Sequence, residues 1–358
     1  MSNLSKDRQP RPFWYGMHSE ELNRKRNILR KIFDANKIHI EDNIQVLSGP
    51  SISEFHITPV VGTKLKKIWD LEDEIVWFLG TNGVRTYSRP PKIIIEIPND
   101  VRSIVPLKAL LDSDTFKNST ANLPLALGYP ATQEIKIIDL ENAPHILVAG
   151  STMQGKIPCL HSMAISLLAS KRPDELKLVF IDPKDHQLRE YREHLHVTQP
   201  HDALRVLEGL CMEMEERLEN KSLKLPYIVC FVDEFGDLTV GFGKNKSMAR
   251  QISNAIIRLA MKGHIVGIHM IISTQRPSTD VITGLIKANF PTRIAFRTFD
   301  KEDSKLIIDT PGAEKLLGQG DMLLCQGEGL ERLQGGHVSS EEIIATIEDY
   351  RARHYKCF

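Results

Sequence analysis

The segment Pro144-His-Ile-Leu-Val-Ala-Gly150-Ser-Thr-Met-Gln-Gly155-Lys156 constrains this chain more than any other. The apolar run His145–Ala149 has strand character. It passes directly into a loop that opens on one glycine and closes on a second glycine followed by lysine. A helical pattern occupies 158–170 beyond it. Such a loop between strand and helix turns backbone N–H groups toward an anion. The lysine adds a charge, and the helix dipole adds favourable potential. Gly150, Ser151, Thr152, Met153, Gln154, Gly155, Lys156 and Ile157 are therefore expected to cradle nucleotide phosphates, with ATP as the ligand.

The last positions of the motif depart from this logic. A serine or threonine after the lysine would offer a hydroxyl to Mg²⁺. Ile157 stands there and cannot ligate a metal. Pro158 follows, and it removes one of the N–H donors that open the helix. The loop keeps its bend and its lysine but loses a metal ligand and a hydrogen bond.

A second apolar run, Tyr227–Val232, delivers Asp233 and Glu234. Ligands of open α/β sheets sit at the carboxyl ends of the strands. Asp233 is the candidate metal ligand for Mg²⁺, and Glu234 the candidate base that polarises an attacking water. The third run ends in Ser273-Thr-Gln275-Arg-Pro277, where Gln275 can sense a terminal phosphate or position water. His186, His194, His196 and His201 match no standard zinc spacing and read as loop histidines.

Six apolar strand candidates follow residue 123: His145–Ala149, Leu176–Ile181, Tyr227–Val232, Ile268–Ser273, Thr292–Phe296 and Asp321–Cys325. Helical stretches at 158–170, 202–219 and 247–262 separate them. This alternation predicts a parallel sheet covered on both faces. The N-terminal part differs. Residues 1–20 read as a loose tail and 20–35 as a helix. Strands are expected within 44–60 and at 92–97, with a helix over Leu65–Leu79. A smaller α+β domain over 21–122 and a larger α/β domain over 123–358 fit the length of 358 residues. Arg24, Lys25, Arg26, Arg30 and Lys31 form a basic cluster on the first helix, read as a solvated face more readily than as a phosphate contact.

Forty-six basic and 46 acidic residues balance, so any contact with nucleic acid needs a local patch rather than the net charge. The five scattered cysteines form no CxxC pair and fit buried thiols in a reducing compartment. No apolar run is long enough for a membrane helix, and the expected address is the cytoplasm.

With the three motifs assembled, the chain resembles the FtsK/SpoIIIE family of DNA translocases from about Ile44 to about Val338. The resemblance is carried by Pro144 to Gly150, Ile181-Asp-Pro-Lys184, Leu225 to Phe235, Gly267-Ile-His269, Thr274-Gln-Arg-Pro-Ser278, Asp280 to Asn289, Pro291 to Phe296 and Leu317 to Met322. Gly49 to Ser53 and Ile95 to Asn99 look like the family's small α domain. The resemblance implies a RecA-like P-loop NTPase motor domain beside the smaller α+β domain. It also implies a homo-hexamer around double-stranded DNA, backbone contacts blind to sequence, and roles such as chromosome partition at cell division. Where the family writes an arginine expected to reach a neighbour's nucleotide, this chain has His264, which supplies no fixed charge. The stretch between Arg217 and Leu225 is shorter than the family's. Neither a membrane anchor nor a C-terminal winged-helix module is expected. Three readings stand: an ATP-driven DNA translocase, a non-hydrolysing DNA-binding or ring-assembly relative, or a structural or interaction protein that binds no nucleotide.

Overall fold

The computed structural model describes residues 19–132, 134–184, 187–191, 196–198, 202–221, 226–239, 246–327 and 329–355, with backbone alone at 196–198, 354 and 355. The tail reading for 1–18, His186, His194, His201 and the shortened stretch at 222–225 lie outside the described residues, as does the side chain of His196. The chain forms two compact units, 1–104 with 129–134, and 105–128 with 135–358.

In the first unit, helix α1 (Ser19–Ala35) is followed by strands β1 (Gln45–Ser48) and β2 (Ile52–Ile57), short helices α2 (Lys66–Trp69) and α3 (Glu72–Leu79), and strands β3 (Arg85–Arg89) and β4 (Lys92–Pro98). The strands form an antiparallel sheet in the order β1-β2-β4-β3. Leu29, Ile32 and Phe33 of α1 share a core with Phe55, Ile57, Ile68, Ile75, Ile93 and Ile95. The single helix expected over Leu65–Leu79 is two. Asp70 and Leu71 separate them, and Glu72, Asp73 and Glu74 open α3 with acids at a helix N-terminus, where its dipole favours them. Gly80, left-handed at φ 64°, ends it. The basic cluster of α1 is largely committed within the unit. Lys25 is buried against Glu21, Asp100 and the Pro98 carbonyl. Arg24 pairs with Asp100, and Arg30 binds the Asp42 carbonyl.

The second unit continues with α4 (Leu107–Leu111), α5 (Asp114–Lys117), β5 (Pro124–Tyr129), β6 (Lys136–Asp139), β7 (His145–Ala149), α6 (Lys156–Ser170), β8 (Leu176–Ile181), β9 (His196–Thr198), α7 (Ala203–Glu219) and β10 (Tyr227–Val232). Then come α8 (Phe235–Thr239), α9 (Lys246–Lys262), β11 (Ile268–Thr274), α10 (Gly284–Asn289), β12 (Thr292–Phe296), α11 (Lys301–Ile308), β13 (Asp321–Gln326), β14 (Gly329–Gly335) and α12 (Ser340–Tyr355). Among the described residues, ten strands form one sheet in the order β6-β5-β14-β13-β12-β7-β11-β10-β8-β9. The segment from β12 through β9 is parallel.

Two expectations change. The larger unit begins at residue 105, earlier than the boundary near 122, because the Leu107 N–H bonds the His337 carbonyl and β5 joins the large sheet. The sheet is not wholly parallel, since β13 and β14 add antiparallel strands beyond β12.

Buried β-branched and aromatic residues of β7, β10 and β11 form the centre of the larger unit. The helices α7 and α9 cover one face, burying Leu207, Met214, Ile252, Ile256 and Leu259. Helix α6 is apolar nearly all round and buried along most of its length, as a helix held between layers must be. Its hydroxyls fasten it to β5: Ser162 Oγ donates to the Ala126 carbonyl at 3.0 Å, and Ser166 Oγ accepts from the Ala126 N–H at 3.1 Å. Cys159, Cys211 and Cys230 are buried free thiols.

Candidate nucleotide site

The central strands β7, β11 and β10 are adjacent and parallel, so their carboxyl ends deliver Gly150, Gln275 and Asp233-Glu234 to one edge. The loop after β7 bends through glycines that nothing else can replace. At Gly150, φ is 147°, and a Cβ would sit 2.9 Å from the Phe296 carbonyl carbon. At Gly155, φ is 119°, and a Cβ would lie 2.6 Å from the Gly320 nitrogen. Both conformations belong to glycine on steric grounds. The Ser151 N–H is tied to the Arg297 carbonyl at 2.8 Å, and the Gln154 carbonyl accepts from the Gly320 N–H at 3.0 Å. Met153 adopts φ 60° with an exposed side chain.

Lys156 opens α6 and is buried. Its ammonium donates to the Gly150 carbonyl at 2.7 Å and the Ser151 carbonyl at 2.6 Å. Burial lowers its pKa to about 8, and the charges of Glu234 and Asp233 oppose that shift. Lysine and carboxylates thus feel one another across a single site.

Asp233 is buried, and Ser273 Oγ donates to its Oδ1 at 2.5 Å. Burial raises its pKa to about 6. The Ser273 hydrogen bond opposes the rise, while Asp182 and Glu234 add to it. Its Oδ2 is buried without a hydrogen-bond partner. Glu234 follows at φ 45°, a left-handed position that is strained for a non-glycine residue. Its carboxylate is held in place: Thr274 Oγ1 donates at 2.8 Å, and the Gln275 N–H reaches the two oxygens at 3.1 and 2.9 Å. The Gln275 side chain turns the other way, and its Oε1 accepts from Thr152 Oγ1 at 2.7 Å. The phosphate-loop candidates, Gln275 and Glu234 are therefore linked by direct hydrogen bonds.

Asp233 Oδ2 is an open acceptor of the kind a metal or its water requires. Ile157 presents no oxygen. Pro158 sits in the first turn of α6 and contributes no N–H. The donor set fits nucleotide phosphates and fits a metal only on the Asp233 side.

His264 lies elsewhere. It occupies the 3₁₀ turn Gly263–Val266 just before β11, at the opposite end of the sheet from Gly150. Its ring meets His145 edge-on, with centroids 5.9 Å apart. It does not reach this chain's own phosphate loop.

Sequence reasoning left two partners unassigned and gave a third no role. Ser273 and Thr274 orient the two carboxylates. Asp182, at the end of β8, is buried and contributes to the field at Asp233. The signal was present, because Leu176–Ile181 ends on an aspartate just as Tyr227–Val232 does. No helix among the described residues is long and apolar enough to cross a membrane.

The FtsK/SpoIIIE family model matches residues 106–221 and 218–279, and the FtsK alpha domain model matches 6–99. The DNA translocase FtsK of Treponema pallidum is 38% identical over 356 residues, covering 91% of this chain and 44% of that protein. The chain belongs to the FtsK/SpoIIIE family. The DNA translocase SftA of Bacillus subtilis is 37% identical over 340 residues, covering 87% of this chain and 35% of SftA. The chain therefore spans less than half the length of these two relatives. Among solved structures, the pCW3 conjugation coupling protein TcpA, in a monomer form with ATPγS, aligns with a TM-score of 0.65 at 20% identity. That alignment covers 92% of this chain and 99% of that one. The cytoplasmic domain of the type VII secretion ATPase EccC of Thermomonospora curvata aligns with a TM-score of 0.56 over 69% of this chain and 34% of that one, at 18% identity. These likenesses show the fold alone, an α/β architecture of the RecA-like P-loop kind.

Proposed function

We propose that this chain binds ATP and ADP through Gly150–Ile157 and engages double-stranded DNA as a subunit of a homo-hexameric ring, turning ATP over weakly or not at all. The observation that carries this reading is the pairing of a phosphate loop that keeps its glycine bends and its lysine with an incomplete metal site. Lys156, Glu234 and Gln275 lie at one sheet edge, Asp233 Oδ2 is buried without a hydrogen-bond partner, and position 157 is an isoleucine that offers no hydroxyl.

Lys156 would neutralise the terminal phosphates, exchanging its two carbonyl acceptors for phosphate oxygens. Glu234 would polarise the attacking water, held in place by Thr274 and Gln275. A nucleotide-bound Mg²⁺ would supply charge neutralisation at the leaving phosphate, with Asp233 as its protein partner. Loss of the loop hydroxyl weakens that partnership. His264 adds nothing to this chain's own site, and the loss of an arginine-type transition-state charge costs roughly 10³–10⁵ in rate. The similarity to DNA translocases supports duplex DNA as the partner. The balanced charge of the chain makes backbone contacts from local basic residues the expected mode.

Two measurements on the purified protein test this reading: nucleotide affinity with and without Mg²⁺, and ATP hydrolysis with and without linear duplex DNA. Nucleotide binding that Mg²⁺ barely changes, with little DNA-stimulated turnover, is the expected result. Brisk Mg²⁺-dependent hydrolysis stimulated by DNA would overturn the weak-turnover part. Failure to bind either nucleotide would overturn the whole.

A further inference from the structure

Strand β8 lies beside β10 and ends at Ile181, so Asp182 emerges at the same edge as Asp233. Asp182 is fully buried, and its carboxylate accepts the N–H of Lys184 at 3.0 Å, of Gln187 at 2.8 Å and of Leu188 at 3.1 Å. Three backbone donors, from Lys184, Gln187 and Leu188, are thus gathered on one carboxylate. The backbone of Lys184 is thereby fixed next to the carboxylates of β10.

The Lys184 ammonium lies 3.7 Å from Asp237 Oδ2 and 4.0 Å from Glu234 Oε2. These separations are ion-pair range rather than hydrogen-bond distance. The lysine side chain remains about a third exposed, while that of Glu234 is buried. Glu234 Oε2 already accepts from the Gln275 N–H, so its place is set without Lys184. The ammonium is loosely held beside a carboxylate that other groups hold tightly. It also stands within electrostatic reach of Lys156, whose pKa its charge helps to lower. The site therefore carries two cations, Lys156 within the phosphate loop and Lys184 beyond the carboxylates.

We propose that Lys184 is a second phosphate cation of this site, drawn from Glu234 and Asp237 toward the terminal phosphate of a nucleoside triphosphate, so that the site distinguishes ATP from ADP. This rests on the nucleotide reading above and adds a residue that senses the third phosphate. A diphosphate lacks the group that would draw Lys184 away, and the ion pair with Glu234 and Asp237 persists. With a triphosphate, the charge-assisted contact forms and Lys184 leaves Glu234 and Asp237.

The test is the ratio of ATP to ADP affinity, measured by titration calorimetry on the full chain for the wild type, Lys184→Met and Lys184→Arg. A charge-assisted hydrogen bond of about 1.5–3 kcal/mol corresponds to roughly 10- to 150-fold in affinity. Lys184→Met is expected to weaken ATP by that factor and ADP by less than about threefold on the same scale. Lys184→Arg, which keeps the charge and the reach, is expected to retain most of the preference. Melting temperatures of both variants report folding separately. Equal weakening of ATP and ADP in Lys184→Met, or an unchanged ratio, would overturn the proposal while leaving nucleotide binding intact. A wild-type protein that binds neither nucleotide would overturn both readings at once.

Discussion

Asp233 and Ser273 stand at the ends of neighbouring parallel strands, and the serine hydroxyl satisfies only one of the two carboxylate oxygens, at 2.5 Å. The other oxygen is buried without a partner. Burial holds the carboxyl pKa at about 6, above its ordinary value of 3.8. The folded state therefore binds a proton between pH 3.8 and 6 that the unfolded chain has released. Stability from the neutral form is complete below pH 3.8 and is lost as pH rises through 6. Above pH 6 the ionised Asp233 costs folding energy, and Asp233→Asn is expected to raise stability by about 1–3 kcal/mol at pH 7.5. The gain should shrink toward zero near pH 4. Thermal melts of both proteins across pH 4–8 check this, and a variant less stable at pH 7.5 contradicts it.

The same open oxygen gives a route to repair. Ile157→Ser with Pro158→Val restores a hydroxyl and an N–H at the start of α6. Both nucleotides should then bind about tenfold or more tightly with Mg²⁺ than without it, since one regained metal ligand contributes on the order of 1.4 kcal/mol. Hydrolysis should rise above the wild-type level. If the double variant gains no Mg²⁺ dependence, then position 157 is not what weakens the metal site.

Lys156 carries a matching cost with the opposite charge. Its pKa of about 8 lies below the ordinary 10.5, chiefly through burial. The unfolded chain binds more protons between pH 8 and 10.5, so stability rises with pH across that window. At pH 7 the buried ammonium is a burden on folding. Lys156→Met is accordingly expected to be more stable than the wild type at pH 7 by about 1–3 kcal/mol and to lose nucleotide affinity. Wild-type affinity for ADP should fall as pH rises above 8, by at most about tenfold per unit. Affinity flat from pH 7 to 9.5 would show that the ammonium does not meet the phosphates.

Much of this site was legible in the sequence because each piece is local. An apolar strand followed by a glycine loop or by two acids needs no knowledge of the rest of the chain. The six apolar runs became β7, β8, β10, β11, β12 and β13 within a residue at their ends. What escaped were features set by distant partners. Strand β6 is short and β14 is largely polar, and both are strands because they pair within the far part of the sheet. The direction of β13 depends on the hydrogen-bonding geometry of its neighbours rather than on its composition. The division of Leu65–Leu79 turned on a run of acids that starts a fresh helix within an otherwise helical pattern. Lys184 was visible as a residue, but its place beside Glu234 depends on a buried aspartate gathering three N–H groups.

Gly155 provides the most severe test of the loop itself. Its φ of 119° is accessible to glycine alone, and an added Cβ would stand 2.6 Å from the Gly320 nitrogen and 2.8 Å from the Gly320 Cα. Both are backbone atoms of the tight turn before β13, and the Gln154 carbonyl binds that turn through the Gly320 N–H. Neither side can yield without breaking this hydrogen bond. Gly155→Ala should therefore cost about 2–4 kcal/mol of stability, more than a helix substitution elsewhere in α6, and should abolish nucleotide binding even if the chain still folds. Urea unfolding with nucleotide titration of the surviving folded protein measures both quantities. A Gly155→Ala protein with wild-type stability would mean that the loop and the Gly318–Gly320 turn are not in contact as described. A variant that is destabilised yet binds ADP normally would separate the loop's bend from its role in holding phosphate.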